Sequence, residues 1–395
     1  MSPPSAVGSY QLPDLLSHFQ DYHELSINGY CRAASLASEK WVLDIAQEKL
    51  GSPALSLLPF IDRLPSMKLG LLGACSFPSC DLTQLILMMD FCTLIVLDTE
   101  GLLRSNPPIT SHWGLGNDTS NSGYVEVLQT HPVLQRLLTR LSRLQNSTTE
   151  SWQRRFTSSI VAFRHSRQKA IDYRREGTAL AHLEIEEYIG FRRDLSGIPF
   201  ILDLMEAVEG LELDIPPCND DLSTLRCLVG DIIVLTWDVF SYNIDQSIDN
   251  KINIVSLLQS KREIALVHSI KEAGDLIFQR IDAFKSLEKS LLSSMGASPS
   301  DRESDSGATA LNSLWNNFTG LFSAAEKPNN PHPSVTDFQA HDIALYIRAL
   351  KDCLVGFLHW AYETDIFFGT KGDTVKGFGW VFLLPPPNRH AETTA

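Results

Sequence analysis

The segment from Trp237 to Asp245 carries residues that could bind a metal ion. Ser241 and Asp245 are four residues apart, so on a helix they share one face and present a hydroxyl and a carboxylate together. Such hard oxygen donors suit Mg²⁺. Trp237 lies four residues before Ser241, but an indole offers only an N–H donor and cannot ligate a metal. The segment therefore indicates either a magnesium site with two oxygen ligands or a core helix that buries Trp237.

Two arginines, Arg192 and Arg193, form a second candidate and are followed by Asp194. A guanidinium binds phosphate through two parallel hydrogen bonds, but it binds a carboxylate equally well. The pair therefore indicates either an anion site, on Arg193 or on Arg192, or a surface ion pair with Asp194.

A third candidate is the acidic stretch Leu97-Asp98-Thr99-Glu100. Asp98 and Glu100 are two residues apart, and such positions do not share a helical face. The stretch indicates a weak magnesium site or a solvated acidic helix end, and we favour the solvated end.

Motifs of other enzyme classes do not occur in the sequence. The histidines are dispersed, with no His-Glu-x-x-His and no His/Cys cluster at zinc spacing. There is no Gly-x-Ser-x-Gly elbow, Walker loop or dinucleotide-binding fingerprint. The seven cysteines are scattered without a Cys-x-x-Cys pair, a pattern that favours buried, reduced thiols in a cytosolic protein.

The net charge and the hydropathy of the sequence exclude several classes of binding partner. The formal net charge is -14, and an acidic surface repels nucleic acid and anionic lipid. The N-terminus has neither the basic nor the apolar region of a signal peptide. No continuous apolar run reaches the ~18 residues that a membrane-spanning helix needs. We therefore expect a cytoplasmic protein that neither binds nucleic acid nor inserts into a membrane.

Apolar residues recur with helical spacing along most of the chain. A long central helix is predicted from Leu225 to about Val255, and a last one, rich in aromatic residues, from Tyr346 to Phe368. No alternating strand pattern exceeds a few residues. The sequence predicts one all-α domain over residues 10–385, large enough to enclose a central hydrophobic cavity.

Three stretches have the composition of poorly ordered chain. Residues 1–9 are small and polar, and residues 386–395 form a loose tail. Residues 296–335 are rich in Ser, Asp, Asn and Pro around a short apolar island. We expect disorder in the first two stretches and a flexible insertion or lid in the third.

Several segments together resemble the terpene synthases of filamentous fungi. Each segment is weak alone, but their order and spacing cover residues ~25–370. The resemblance implies a class I terpene synthase fold, an all-α bundle whose cavity is open at one end. The segments are Asn28-Gly29-Tyr30 with Ser38-Glu39-Lys40-Trp41, Phe77-Pro78 with Asp81-Leu82 and Gln84-Leu85, Glu187 to Arg193 with Gly197 and Pro199, Asp238 to Gln246, and Trp360 to Thr364 with Phe368-Gly369.

The resemblance implies a demanding chemistry. The family ionises an allylic diphosphate with three Mg²⁺ ions and with Arg and Lys donors. Its first metal motif has an acid pair and a third acid. Here the pair falls on Thr99 and Glu100, or on Asp98 and Thr99 after a shift of one residue. The position of the third acid is occupied by Leu103, or by Leu102 after the same shift, so this acid is missing. At best two acids remain, Asp98 and Glu100.

Two further motifs of the family are also altered. Its second metal motif has Asn, Ser and Glu at four-residue intervals, and these positions hold Trp237, Ser241 and Asp245. Its C-terminal Arg-Tyr pair, which binds diphosphate, is replaced by Ile366 and Phe367. Hydrocarbon groups cannot stabilise a leaving diphosphate, but they can hold an apolar substrate.

The diphosphate-sensing segment of the family is better preserved. In this resemblance Arg193 is the sensor, Ser196 the linker and Gly197 the residue that responds to ionisation at a break in the helix.

These departures predict an enzyme that kept the cavity and lost the ionisation machinery. It would cyclise a functionalised terpenoid without metal, for example by an intramolecular Diels-Alder-type cycloaddition, because pre-organisation alone can lower such a barrier. The alternative is a Mg²⁺-dependent sesquiterpene or diterpene cyclase acting on a prenyl diphosphate. A second alternative is a non-catalytic relic that binds a hydrophobic ligand.

The predicted partner is a small hydrophobic terpenoid, with no cofactor in the first hypothesis and Mg²⁺ in the alternative. Family members are often monomers or dimers, so we expect a monomer or homodimer. Catalytic hydrogen-bond donors are expected among Arg193, Trp237, Ser241 and Tyr242. Substrate contacts are expected from Phe91, Thr99, Ser196, Gly197, Phe240, Trp360 and Phe367.

Overall fold

A computed structural model describes most of the chain: residues 8–20, 22–48, 58–99, 137, 140, 141, 144, 148–176, 182–213, 220–296 and 335–385. Of the first-motif candidates, Glu100 lies outside the described residues, as do the side chains of Asp98 and Thr99. The positions Leu102 and Leu103 and residues 297–334 of the predicted insertion also lie outside them.

The described residues form helices and one two-stranded ribbon. The strands are β1 (Ser9–Gln11) and β2 (Trp380–Phe382). The helices are α1 (Leu15–Gln20), α2 (Cys31–Glu48), α3 (Leu58–Met67), α4 (Leu69–Ser76), α5 (Leu82–Thr99), α6 (Glu150–Glu176), α7 (Ile185–Ser196), α8 (Ile198–Val208), α9 (Asp221–Ser247), α10 (Ile254–Arg262), α11 (Leu266–Gly296), α12 (Val335–Glu363), α13 (Asp365–Phe368) and α14 (Gly372–Phe378), with a 3₁₀ turn at Gly369–Lys371.

Helix α9 runs through the centre of the bundle. It starts at a polar cap, where the Asp220 carboxylate accepts the Leu222 backbone N–H at 2.7 Å. Most of its residues are buried, and it packs against α7, α10, α11 and α12. By length and hydropathy it is the one described helix that could cross a membrane, but 78% of its apolar window is buried inside the molecule. Its hydropathy is therefore that of a core helix.

The predicted helix from Leu225 to Val255 is two helices. Helix α9 ends at Ser247, and Val255 belongs to α10. The connection requires a left-handed backbone at Asp249, whose φ is 58°. Asn253 then caps α10 by accepting the Val255 backbone N–H at 2.9 Å. Apolar residues keep a helical spacing across this loop, so the sequence pattern gives no sign of the turn.

The predicted C-terminal helix is also interrupted. Helix α12 ends at Glu363, and Thr364 caps the short helix α13 by accepting the Ile366 N–H at 3.3 Å. The same hydroxyl donates to the Met67 carbonyl of α3 at 2.9 Å. This turn directs Phe367 and its neighbours back toward α9.

The ribbon joins the two ends of the described chain. Strand β1 pairs with β2 in antiparallel register, Tyr10 opposite Val381. Ser9, which the sequence assigned to a disordered N-terminal stretch, lies opposite Phe382, so that boundary is corrected to an earlier position. Asn243 of α9 fastens the ribbon: its amide donates to the Phe382 carbonyl at 3.0 Å.

Candidate functional site

Trp237 is half-buried on α9 and faces the C-terminal helices. Its ring meets the edge of Phe367 at 4.9 Å between centroids. It also lies 6.2 Å from the ring of Phe357 and 6.0 Å from that of Trp360. Edge-to-face and offset contacts at these separations stabilise aromatic clusters. The structure thus brings together two positions, 237 and 367, where the family resemblance expects polar ligands.

The cluster continues one turn along α9. The Phe240 ring contacts Tyr362, Phe367 and Phe368 at 4.9, 5.9 and 5.2 Å. The Trp360 indole is fixed by hydrogen bonds to the carbonyls of Met67 at 3.1 Å and Lys68 at 3.0 Å. The aromatic cluster, as the term is used below, consists of Trp237, Phe240, Phe357, Trp360, Tyr362, Phe367 and Phe368.

Ser241 and Asp245 lie together on the next turns of α9. The Ser241 hydroxyl donates to Oδ2 of Asp245 at 2.6 Å. Asn253 donates to the same oxygen at 2.9 Å, and Asn250 donates to Oδ1 at 2.8 Å. Burial raises the pKa of the Asp245 carboxyl, although the three hydrogen bonds lower it. Neutral donors from the α9–α10 loop thus satisfy this carboxylate.

Asn253 connects three backbone segments at this site and is fully buried. Besides binding Asp245, its amide donates to the Asp238 carbonyl at 2.6 Å while its oxygen caps α10. The side chain therefore fixes the C-terminal part of α9 relative to the start of α10.

The described residues of the second motif do not fit a magnesium ion well. Mg²⁺ requires near-octahedral oxygen ligands. Trp237 offers none, and its indole packs on Phe367. Ser241 and Asp245 present oxygens, but these are bound to each other and to the two asparagines. Among the described residues, no group of three His, Cys, Asp or Glu side chains could hold a metal.

The two arginines of the sensing segment both bind buried aspartates of α9. Arg193 forms an ion pair with Asp231 at 2.5 Å. The predicted surface ion pair between Arg193 and Asp194 is therefore wrong. Arg192 pairs with Asp238 at 2.5 Å. Burial alone would lower the pKa of Arg192, but the Asp238 carboxylate more than offsets this and raises it.

The helix break expected in the sensing segment is present. Gly197 ends α7 and begins α8 with a φ of 72°, a left-handed conformation that favours glycine. Ser196 bridges the break, since its hydroxyl donates to the Arg193 carbonyl at 2.6 Å and accepts the Ile198 N–H at 3.1 Å.

Arg174 of α6 is within electrostatic range of Asp245 and of two other arginines. Partial burial and the neighbouring guanidiniums of Arg167 and Arg192 lower the pKa of Arg174, while the Asp245 carboxylate raises it. Of the three arginines, Arg192 is already paired with Asp238.

Of the predicted site residues, Phe91 lies outside the aromatic cluster and Tyr242 is hydrogen-bonded within the protein. The Phe91 ring contacts Phe200 at 6.4 Å, in a buried group with Phe163 that is distinct from the aromatic cluster. The Tyr242 hydroxyl donates to Gln259 of α10 at 2.8 Å. Ile366, the other altered position of the C-terminal pair, is 8% exposed.

Three of the buried thiols are poor nucleophiles. Burial raises the pKa of Cys80, Cys92 and Cys353 to about 12, so these groups stay protonated at neutral pH. All six described cysteines are free, as expected; Cys218 lies outside the described residues.

Sequence reasoning missed several residues of the site. Phe357 lies three residues before Trp360, a helical spacing that could have identified it. Asn250 and Asn253 gave no signal, because their role depends on how the loop returns to α9. Arg174 is distant in sequence from Asp245, whose charge it meets.

Comparisons with known proteins agree with this architecture. Residues 118–283 match the family model described as terpene synthase family 2, C-terminal metal binding. Sesquiterpene synthase Agr1 of Cyclocybe aegerita is 27% identical, over 95% of this chain and 93% of its own. Sesquiterpene synthase 2 of Postia placenta is 25% identical, over 98% of both chains.

Solved structures share the fold. The linalool/nerolidol synthase of Streptomyces clavuligerus superposes with a TM-score of 0.60 at 15% identity, covering 86% of this chain and 98% of that one. Hedycaryol synthase in complex with nerolidol gives a TM-score of 0.57 at 17% identity, covering 89% and 100%. The predicted all-α terpene synthase fold is thereby confirmed.

The described helices, the match to the family model and the nearly full-length fungal relatives lead to one assignment. The chain has the all-α fold of the terpene synthases and is similar over nearly its whole length to fungal sesquiterpene synthases.

Proposed function

We propose that this protein cyclises an apolar, already functionalised terpenoid without ionising a diphosphate through its second metal motif. The observation that carries the proposal is the contact between Trp237 and Phe367, at 4.9 Å between ring centroids. An indole and a phenyl group fill space where ionisation of a diphosphate would need oxygen ligands and cationic donors.

The reaction class that fits such a site is an intramolecular cycloaddition. In a Diels-Alder-type step a diene and an alkene of one molecule form two carbon–carbon σ bonds and one new π bond. Six π electrons are redistributed, nothing leaves and the product is an isomer of the substrate. The protein's contribution is to hold the chain in its reactive conformation, which in ideal cases supplies on the order of 7–11 kcal/mol.

The hydrogen bonds of the site favour one donor. Of the four predicted donors, Arg193 is bound to Asp231, Ser241 to Asp245 and Tyr242 to Gln259. No described residue accepts a hydrogen bond from Nε1 of Trp237. The Trp237 N–H is therefore the group we assign to bind a substrate carbonyl, which would polarise an enone partner of the cycloaddition.

The direct test compares two substrate classes with protein before and after EDTA treatment. We expect terpenoids that carry a diene and an enone in one chain to give isomers of unchanged mass at equal rates in both preparations. We expect no pyrophosphate release from farnesyl or geranylgeranyl diphosphate with Mg²⁺. Activity lost with EDTA and restored by Mg²⁺ would contradict the proposal.

The donor assignment has its own test. Trp237→Phe keeps an aromatic ring but removes the N–H, so turnover of an enone probe should fall about tenfold or more, the size expected for one lost hydrogen bond at a transition state. Trp152→Phe is the matched control, because its indole N–H is bound to the Asp203 carbonyl outside the aromatic cluster. Equal turnover by wild type and Trp237→Phe would remove Trp237 from the mechanism.

A second candidate is a Mg²⁺-dependent cyclase of a prenyl diphosphate, and it is favoured by Arg174, a cation within electrostatic range of Asp245. The relatives named as sesquiterpene synthases point the same way. In that case Asp245 and Ser241 would hold the ion with help from residues outside the described ranges. Pyrophosphate release by the wild type that disappears in Asp245→Ala would establish it.

A further inference from the structure

The ribbon of β1 and β2 has an apolar outer face. Val381 is buried, whereas its neighbours Trp380 and Phe382 are 48% and 61% exposed. Leu384 is 45% exposed and Phe378 73% exposed. A strand with one face in water normally carries polar residues on that face. Trp380 and Phe382 lie on the outward side of β2, Phe378 ends α14 just before the strand and Leu384 follows it; these four exposed apolar side chains are here called the outer apolar face.

The backbone beneath this face is fixed to α9. The Leu384 N–H donates to the Asn243 side chain at 2.7 Å, and the Gln246 amide donates to the Leu384 carbonyl at 2.9 Å. Asn243 and Gln246 flank Asp245 in sequence. The outer apolar face thus lies at the same end of α9 as the second-motif residues.

The size of the face argues against a stable contact between two copies of the chain. Exposed parts of four such side chains amount to a few hundred Å², of the order of an ordinary surface patch. A stable interface needs about 800 Å² from each partner. The face does not extend across β1, since Ser9 and Gln11 lie opposite Phe382 and Trp380.

Docking on a lipid surface needs a smaller contact area than a stable interface between two proteins. A few aromatic side chains suffice to hold a protein at a lipid–water boundary, where Trp and Phe combine large apolar area with a tolerance for the interface. The net charge of -14 opposes anionic headgroups, which leaves zwitterionic lipid as the matching chemistry.

We propose that the outer apolar face docks the protein on a zwitterionic lipid surface. Docking in this orientation would bring the second-motif end of α9 next to a medium in which apolar terpenoids dissolve. That consequence rests on the proposed function, whereas the docking itself does not.

The test measures flotation of the full chain with phosphatidylcholine vesicles, without any substrate. Wild type should float with the vesicles, and Trp380→Ser with Phe382→Ser should reduce the bound fraction at least about tenfold, because two large apolar groups are lost from the contact. The matched control replaces Ile27 and Leu36, which are 55% and 59% exposed at another part of the surface; it should bind as wild type does.

Thermal unfolding followed by circular dichroism checks that both double variants are folded. Wild type that stays out of the vesicle fraction, or variants that all float equally, would overturn the proposal. A concentration-dependent dimer in light scattering that the Trp380/Phe382 variant dissolves would assign the face to a second copy instead. A negative reaction assay leaves this measurement unaffected, so the two proposals fail separately.

Discussion

At the scale of single residues, the packing of the Trp237 indole decides which groups face the site. On a helix, positions 237, 241 and 245 face one side, and the first of them now packs its indole against Phe357 and Phe367. The other two satisfy each other's polar groups with help from the following loop. Trp237 thus places the edge of an apolar cluster beside the polar pair of Ser241 and Asp245.

The packing of Trp237 predicts a stability cost. Trp237→Ala removes three ring contacts and leaves a space between α9 and α12, so we expect a loss of about 2–4 kcal/mol in the free energy of unfolding. Urea denaturation measures it. Trp380→Ala, which truncates an exposed indole, should change the value by no more than about 0.5 kcal/mol. Equal effects of the two substitutions would mean that the Trp237 contacts contribute little.

At the scale of elements, the break between α7 and α8 positions the sensing segment. Gly197 has a φ of 72°, and a Cβ added there would lie 2.7 Å from Cε1 of Phe200 and 3.2 Å from Cδ1 of Ile95. Both the backbone conformation and the close approach of α5 therefore require glycine. The break sends Arg192 and Arg193 toward α9 while α8 turns toward α6.

Substitution of this glycine should weaken the fold locally. We expect Gly197→Ala to cost about 1–3 kcal/mol, because alanine is strained at positive φ and its methyl group meets Phe200. Gly190→Ala in α7 is the control, since a Cβ there meets nothing closer than Nη2 of Arg193 at 3.9 Å. That change should be neutral or stabilising by about 0.5–1 kcal/mol. Melting temperatures of the two variants that fall together would refute the distinction.

At the scale of the whole molecule, a buried ionic network joins four helices. Asp203 of α8 is fully buried and accepts hydrogen bonds from Arg155 of α6 at 2.9 Å and Arg226 of α9 at 2.5 Å. Arg226 also binds the Tyr346 hydroxyl of α12 at 2.5 Å. Buried charges are tolerated only when they are paired in this way, so the network fixes how α6, α8, α9 and α12 assemble.

Removal of one partner should be costly. Arg226→Ala leaves Asp203 with an incompletely compensated charge in the core, so we expect a loss of about 3–5 kcal/mol. The control, Arg154→Ala, breaks a pair with Glu150 in which the side chains are 74% and 86% exposed, and it should cost less than about 1 kcal/mol. Guanidinium chloride titration of both variants measures the difference. A small effect at Arg226 would show that Arg155 alone balances Asp203.

Local pattern determined much of this protein. Helical spacing of apolar residues predicted the all-α class, since one buried face per helix is a property of neighbouring residues. The order of short motifs predicted the resemblance to fungal terpene synthases, and residue types alone exclude Trp237 as a metal ligand and Ile366 and Phe367 as polar partners of a diphosphate. These conclusions need no knowledge of which helices touch.

Only the tertiary structure decided where helices end and which side chains meet. The turns at Asp249 and Thr364 interrupt two predicted helices because caps and a left-handed residue outweigh continuing periodicity. The partners of Arg193 and Asp245, namely Asp231 and Asn253, come from other elements or from a returning loop. Contacts between residues distant in the chain follow from packing of whole helices, which local spacing does not encode.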